Sequence, residues 1–174
     1  MVFENSNSIK IIHYNCDGIT TFSHLVQFEN LLEREKIHIA SLSETHLNEN
    51  HKTYFKNYLI YRNVRQNSRG EGVALVIRRS VQHKLLPLLN TRRVENLSIE
   101  IMLNNRPVII FISYSSKYVT SFAYDFIKLT SFNKDFIILG NFKAKHSSWY
   151  CNNNNSAGNV LYNIQQTYDF FVYH

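Results

Sequence analysis

FIILGNFKAKHSSW, residues 136–149, is the stretch on which the reading of this chain turns. Its first four residues are apolar and predict a buried strand that stops at Gly140. Past the glycine the chemistry changes to an amide, two lysines, a histidine and two serines, and the stretch ends on Trp149, the single tryptophan. A dry strand that opens into a polar loop is where α/β proteins place their sites, beyond the strand ends. A plain strand followed by a solvated loop has the same pattern, so the rest of the chain must separate the two.

Working outward, residues 121–132 predict a helix before this strand. Leu97, Ile99, Ile101 and Leu103 alternate with Ser98, Glu100 and Met102, a half-buried strand by period. Asn104-Asn105-Arg106-Pro107 then turns the chain into an apolar run at 108–114, which reads as a β-hairpin. Further strands are expected at 81–89, at 73–77 behind Gly70-Glu71-Gly72, and at 58–62. Near the start, 9–14 predicts a strand, Asn15-Cys16-Asp17-Gly18 a turn, Thr21 to about Lys36 a helix, and 37–43 a second strand. That order is β-α-β, which implies a parallel pair with a right-handed crossover. Towards the end, Asn152–Asn155 reads as a loop, 158–168 as a helix and 170–173 as a final strand.

The expected architecture is a layered α/β sandwich of two mixed sheets flanked by helices. Residues 1–8 read as a polar tail and 9–174 as one domain. A strand at 170–173 with nothing after it predicts a domain incomplete at its C-terminus, with an unpaired sheet edge or an uncovered apolar face.

A 174-residue chain that is 44% hydrophobic, with 11 Tyr and 12 Phe, can fill a core, and 5 Gly with 2 Pro exclude a linker-like or collagenous composition. Two cysteines, Cys16 and Cys151, are too few for a disulfide framework or a zinc cluster. No signal-peptide core and no membrane-length apolar run is present, so the expected setting is intracellular, nuclear or cytoplasmic. A net charge of +6 favours a polyanionic partner such as nucleic acid, and neither a membrane nor a small-molecule cofactor is expected. The basic residues are scattered, with Arg78-Arg79 and Arg92-Arg93 the densest pairs, so the charge is a bias and not a patch. Oligomeric state is left open.

Asn15, Glu44, Tyr114 and the segment Asn141–Lys143 all fall at or just past predicted strand ends. Singly they read as a turn residue, a solvated carboxylate, a sheet-edge tyrosine and a loop. Jointly they predict one pocket at one end of a two-sheet core.

The order IKIIHYN, SETHL, YRNVRQNSRGEGVALVI, IFISY, IILGNFKAKHSSW and AGNVL resembles the endonuclease/exonuclease/phosphatase superfamily. The likeness is nearest to the endonuclease domain of non-LTR retrotransposons and runs from Ile9 to about Tyr173. GNFKAKHSSW looks like a divergent G-D-F-N-A-x-H-x-x-W. The resemblance implies a metal-dependent DNA endonuclease, with DNA as the expected partner and Mg²⁺ or Mn²⁺ held at Glu44 and Asn15. It implies catalytic positions at Tyr114, Asn141 and Lys143, and a substrate or structural loop carrying His146 and Trp149. A hard cation of this kind takes oxygen ligands and neutralises charge on a scissile phosphate.

The departures point the other way. Asn141 stands where the family has Asp, Lys143 where it has Asn, and Val64 where it often has Asp. The family's C-terminal Ser-Asp-His segment has no counterpart here. An amide cannot relay a proton, and losing one general base costs about 10²–10⁴-fold in rate. The sequence therefore predicts endonuclease ancestry with impaired catalysis. A non-catalytic nucleic-acid-binding module is the alternative, and a phosphoesterase for small molecules fits the basic charge less well.

Overall fold

The computed structural model describes residues 8–63, 72–91, 94–115, 119–131, 135–168 and 170–173. Val64, Gly70, Glu71, Arg92, Arg93 and Phe132 lie outside the described residues, and so do the expectations resting on them.

Two four-stranded mixed sheets lie face to face among the described residues. The first holds β1 (Ile11–Asn15), β2 (Ile39–Ser43), β4 (Val73–Arg78) and β3 (Tyr58–Asn63), in that spatial order. The second holds β5 (His83–Leu85), β6 (Val94–Leu103), β7 (Arg106–Ser115) and β8 (Asp135–Asn141). β1 and β2 are parallel and joined by α1 (Phe22–Arg34), which is the expected β-α-β unit. A second such unit runs β7, α2 (Val119–Thr130), β8, again with a parallel pair. The remaining neighbours are antiparallel. Among the described residues, no helix is long and apolar enough to cross a membrane.

Three apolar layers hold this arrangement. Between the sheets, Ile39, Leu75 and Ile77 meet Ile99, Ile110 and Ile112. Outside the first sheet, Phe28 and Leu32 of α1 pack on Ala40, Leu42 and Val76. Outside the second, α2 and α3 (Ser156–Thr167) cover Ile109 and Phe111 with Phe126, Leu129, Leu161 and Ile164. β2 is buried along its whole length because both its faces are covered, so even Ser41 and Ser43 are buried.

Local chemistry sets the joints. Thr21 Oγ1 accepts from His24 N–H at 3.3 Å and starts α1. Asn104 and Asn105, with φ of 49° and 61°, form the two-residue turn between β6 and β7; two left-handed residues match the twist of a tight hairpin. Gly140 is required by close approach, since a Cβ there would lie 1.8 Å from the Ser113 carbonyl oxygen.

Two expected strands change. The one at 81–89 contracts to His83–Leu85, because only three residues find register with β6. Residues 170–173 form no strand. They keep a period of two, with Phe170 and Val172 packed on the outer layer and Phe171 and Tyr173 exposed, but no ladder forms.

Candidate functional site

The two sheets present one common end. It carries the C-terminal ends of β1, β2, β7 and β8 and the N-terminal end of β6. Asn15 lies opposite Ser43, one residue before Glu44; Tyr114 lies between Glu95 and Asn141. Four polar positions read from sequence thus meet at one mouth.

The backbone there is bent out of the strand path. Asp17, Glu44, His46 and Lys143 have φ of 42°, 54°, 54° and 49°. Non-glycine residues in that region are uncommon and cluster where a site imposes its geometry. Lys143 is kept there by Asn141, whose Oδ1 accepts the Lys143 N–H at 3.1 Å. The Lys143 ammonium donates to the Tyr114 hydroxyl at 3.2 Å, lies 5.4 Å from the centre of its ring, and sits 3.5 Å from Glu44 Oε1. The hydrogen bond to Tyr114, helped by the Glu44 charge and opposed by burial, raises the Lys143 pKa above its ordinary value.

Beside this trio is a cleft of about 700 Å³ lined by His13, Asn15, Asn141, Lys143, Lys145 and Asn155, with Trp149, Leu161, Val172 and Tyr173 on its apolar side. Among the described residues, no carboxylate lines it. Its polar side offers the cations of Lys143 and Lys145, the amides of Asn15, Asn141 and Asn155, and the His13 ring.

His146 and Trp149 act on the loop. The Trp149 indole is buried, donates Nε1–H to Gln165 Oε1 at 3.1 Å, and shows the cleft only part of its surface. His146 stacks on Tyr162 of α3 at 4.1 Å, and its Nδ1 accepts from Ser148 N–H. Both fasten residues 142–150 to α3.

Three residues at this end escaped the sequence reading. His13 lines the cleft from the inter-sheet face, bonded to Ser41 Oγ at 3.0 Å; its Nε2 is buried with no hydrogen-bond partner among the described residues. Burial lowers its pKa, so the ring is neutral at pH 7. Glu95 is buried opposite Tyr114. Asn155 holds the lysine loop. The signal for His13 was there, since IKIIHYN alternates and puts residues 11, 13 and 15 on one face. Cys16, by contrast, is no nucleophile: burial pushes its thiol up to about 11, and Sγ–H donates to the Ser43 carbonyl.

A divalent cation does not fit the residues present. Such ions take about six oxygens, with carboxylates foremost. Among the described residues no group of three His, Cys, Asp or Glu side chains is placed to hold one. Glu44 already faces an ammonium, and the Asn141 amide brings no charge. A metal would have to displace Lys143 or share its carboxylate with it.

The two mixed sheets flanked by helices are the fold of the endonuclease/exonuclease/phosphatase superfamily. Among solved structures, the chain is similar to the endonuclease domain of TRAS1, a telomere-specific non-LTR retrotransposon, at a TM-score of 0.73 and 14% identity over 92% of this chain and 70% of that one. It is similar to the AP endonuclease LMAP from Leishmania major at 0.67 and 14%, covering 91% and 66%. A third is an endonuclease/exonuclease/phosphatase family protein from Leptotrichia buccalis C-1013-b, at 0.58 and 12%, covering 91% and 72%. No family model matches the sequence, and no curated protein does. At these identities the likeness establishes the fold.

Proposed function

We propose that this domain binds DNA through a metal-independent contact between Lys143 and a backbone phosphate, and that it cleaves phosphodiesters weakly or not at all. The observation that carries the reading is the Lys143 ammonium lodged between Glu44 and Tyr114. It is a tethered cation at the position where the resemblance implies a metal. An ammonium has three N–H donors. Two are engaged, and the side chain is 40% exposed, which leaves one for a phosphate oxygen. Lys145, Asn15 and Asn141 border the adjoining cleft and extend the anion-binding surface. Proton transfer is poorly served: Lys143 is held protonated, and Asn141 has no titratable group. The similarity of the fold to endonuclease domains supports DNA as the polyanion.

The test measures binding and nicking together on supercoiled plasmid and short duplexes. Binding should persist in EDTA and weaken steeply with salt. Lys143→Ala should reduce the salt slope by about one and weaken all sequences alike. Robust Mg²⁺-dependent nicking by the natural chain would overturn the proposal in favour of a working endonuclease.

A further inference from the structure

The asparagine run at 152–155 reads in sequence as a plain loop, yet its last member ties three segments together. Asn155 Oδ1 accepts from Gly158 N–H at 2.8 Å, which caps α3, and from Lys145 N–H at 3.0 Å. Its Nδ2 donates to the Lys143 carbonyl at 2.7 Å, and its backbone N–H donates to the Lys145 carbonyl at 3.0 Å. Asn154 Oδ1 adds a bond from Ser147 N–H at 2.7 Å. Gly158 lets the loop lie against the first turn of α3: a Cβ there would be 1.8 Å from the Lys145 carbonyl oxygen.

A helix cap needs one side-chain acceptor. Asn155 supplies that and two side-chain bonds besides, both to the segment that carries the site lysine. Lys143 is consequently gripped on both sides of its Cα. Its N–H is held by Asn141 and its carbonyl by Asn155, in a left-handed conformation that a lysine rarely adopts unaided.

We infer that Asn155 is a positioning residue that acts through Lys143, setting the loop so that the ammonium falls between Glu44 and Tyr114. Its effect on DNA binding rests on the function proposed above; the positioning itself does not. The chemistry selects asparagine. Serine caps a helix as well but is too short to serve the Lys143 carbonyl at the same time. Aspartate keeps both acceptor roles and has no donor for that carbonyl.

The test uses Asn155→Ser, which spares the cap, with Asn155→Ala for comparison. Acetic anhydride labels the amines, and peptide mass spectrometry follows Lys143 against Lys52 as internal reference. Asn155→Ser should keep its helical circular dichroism while Lys143 reacts about two- to tenfold faster, the change expected when one hydrogen bond is lost. An unchanged Lys143 rate in a folded Asn155→Ser protein would reduce Asn155 to a helix cap and overturn the inference. Should that variant not fold, hydrogen exchange on the unaltered protein decides. The Lys145 amide should be protected together with that of Gly158; free exchange at Lys145 beside a protected Gly158 overturns it. Neither readout involves nucleic acid, so a protein that shows both results but binds no DNA refutes the proposed function alone.

Discussion

Each end of the sandwich carries a tyrosine, a cation and a glutamate, and the two trios are put to different use. At the far end, Arg78 Nη2 meets Glu33 Oε2 at 2.9 Å and the Tyr58 hydroxyl at 3.0 Å, with its guanidinium 5.3 Å from the Tyr58 ring centre. Tyr58 is buried, and its hydroxyl reaches the Leu32 and Ile37 carbonyls. Arg78 Nε also lies 3.4 Å from the Ile37 carbonyl. That trio sews the end of α1 to the first sheet. At the site end, Lys143 holds Tyr114 and Glu44 with fewer bonds, on a loop, beside an open cleft. The planar guanidinium spends its donors on fixed acceptors, whereas the ammonium is a point charge with capacity left over. One trio is a lock and the other a binding site.

The largest expected effect is on the lock. Arg78→Ala should destabilise the fold by about 1–3 kcal/mol, because it strips a charged donor from a buried hydroxyl and from Glu33. Lys143→Ala, removing a half-exposed pair, should cost no more than about 1 kcal/mol. Urea melts of both variants check the ranking, and equal losses would break the comparison. Next is binding, where the order reverses. Arg78→Ala, measured under conditions where it stays folded, should leave DNA affinity and salt slope unchanged. A smaller effect sharpens the difference in chemistry: Lys143→Arg should bind no better than the parent, because the larger guanidinium must fit a gap sized for an ammonium. A clear gain in affinity would show that charge alone matters there.

Much of the fold and of the site end was legible in the sequence, for reasons that differ by residue, whereas the Glu33–Arg78–Tyr58 trio was not. VALVI was readable because burial on both faces leaves an uninterrupted apolar run; FIIL reads the same way but is only half-buried, because β8 is the edge strand of its sheet. Asn15, Glu44, Tyr114 and Asn141 were readable because strand ends impose a place on whatever follows them. Asn155 was not. Its role depends on contacts from the start of α3 back to the Lys143 and Lys145 backbone that no local pattern encodes, and a loop asparagine and a clamping one look alike. Residues 170–173 misled because apolar alternation signals a buried face but not a ladder. Phe170 satisfies the face by packing on Phe126, and its carbonyl accepts from Gln165 Nε2 instead of from a neighbouring strand. The departure at Lys143 was visible, but its pairing with Glu44 was not, because that geometry needs both sheets in place.

The smallest effects come from a histidine at each end, and they separate burial from charge. His13 has its pKa lowered by burial, and no neighbouring charge contributes. His38 is lowered first by burial and then by Arg78 and Lys10, while its Nδ1 accepts the Lys10 N–H. Both folded values lie below the unfolded value of about 6.5, so in the window below that pH the unfolded chain binds protons that the folded chain does not. Stability from both is therefore complete above about pH 6.5 and falls as the pH drops towards the folded values, by at most about 1.4 kcal/mol per pH unit for each proton. His13→Gln should flatten this acid slope more than His38→Gln does, since His13 is the more deeply buried ring. Salt then divides them. Screening weakens the repulsion of His38 by Arg78 and Lys10 but cannot rehydrate His13. In the His13→Gln protein, where His38 remains, raising ionic strength should flatten what is left of the slope. In the His38→Gln protein, where His13 remains, salt should change the slope little. Equal salt responses in the two variants would mean that charge, and not burial, sets both histidines, and that the site end is wetter than its packing implies.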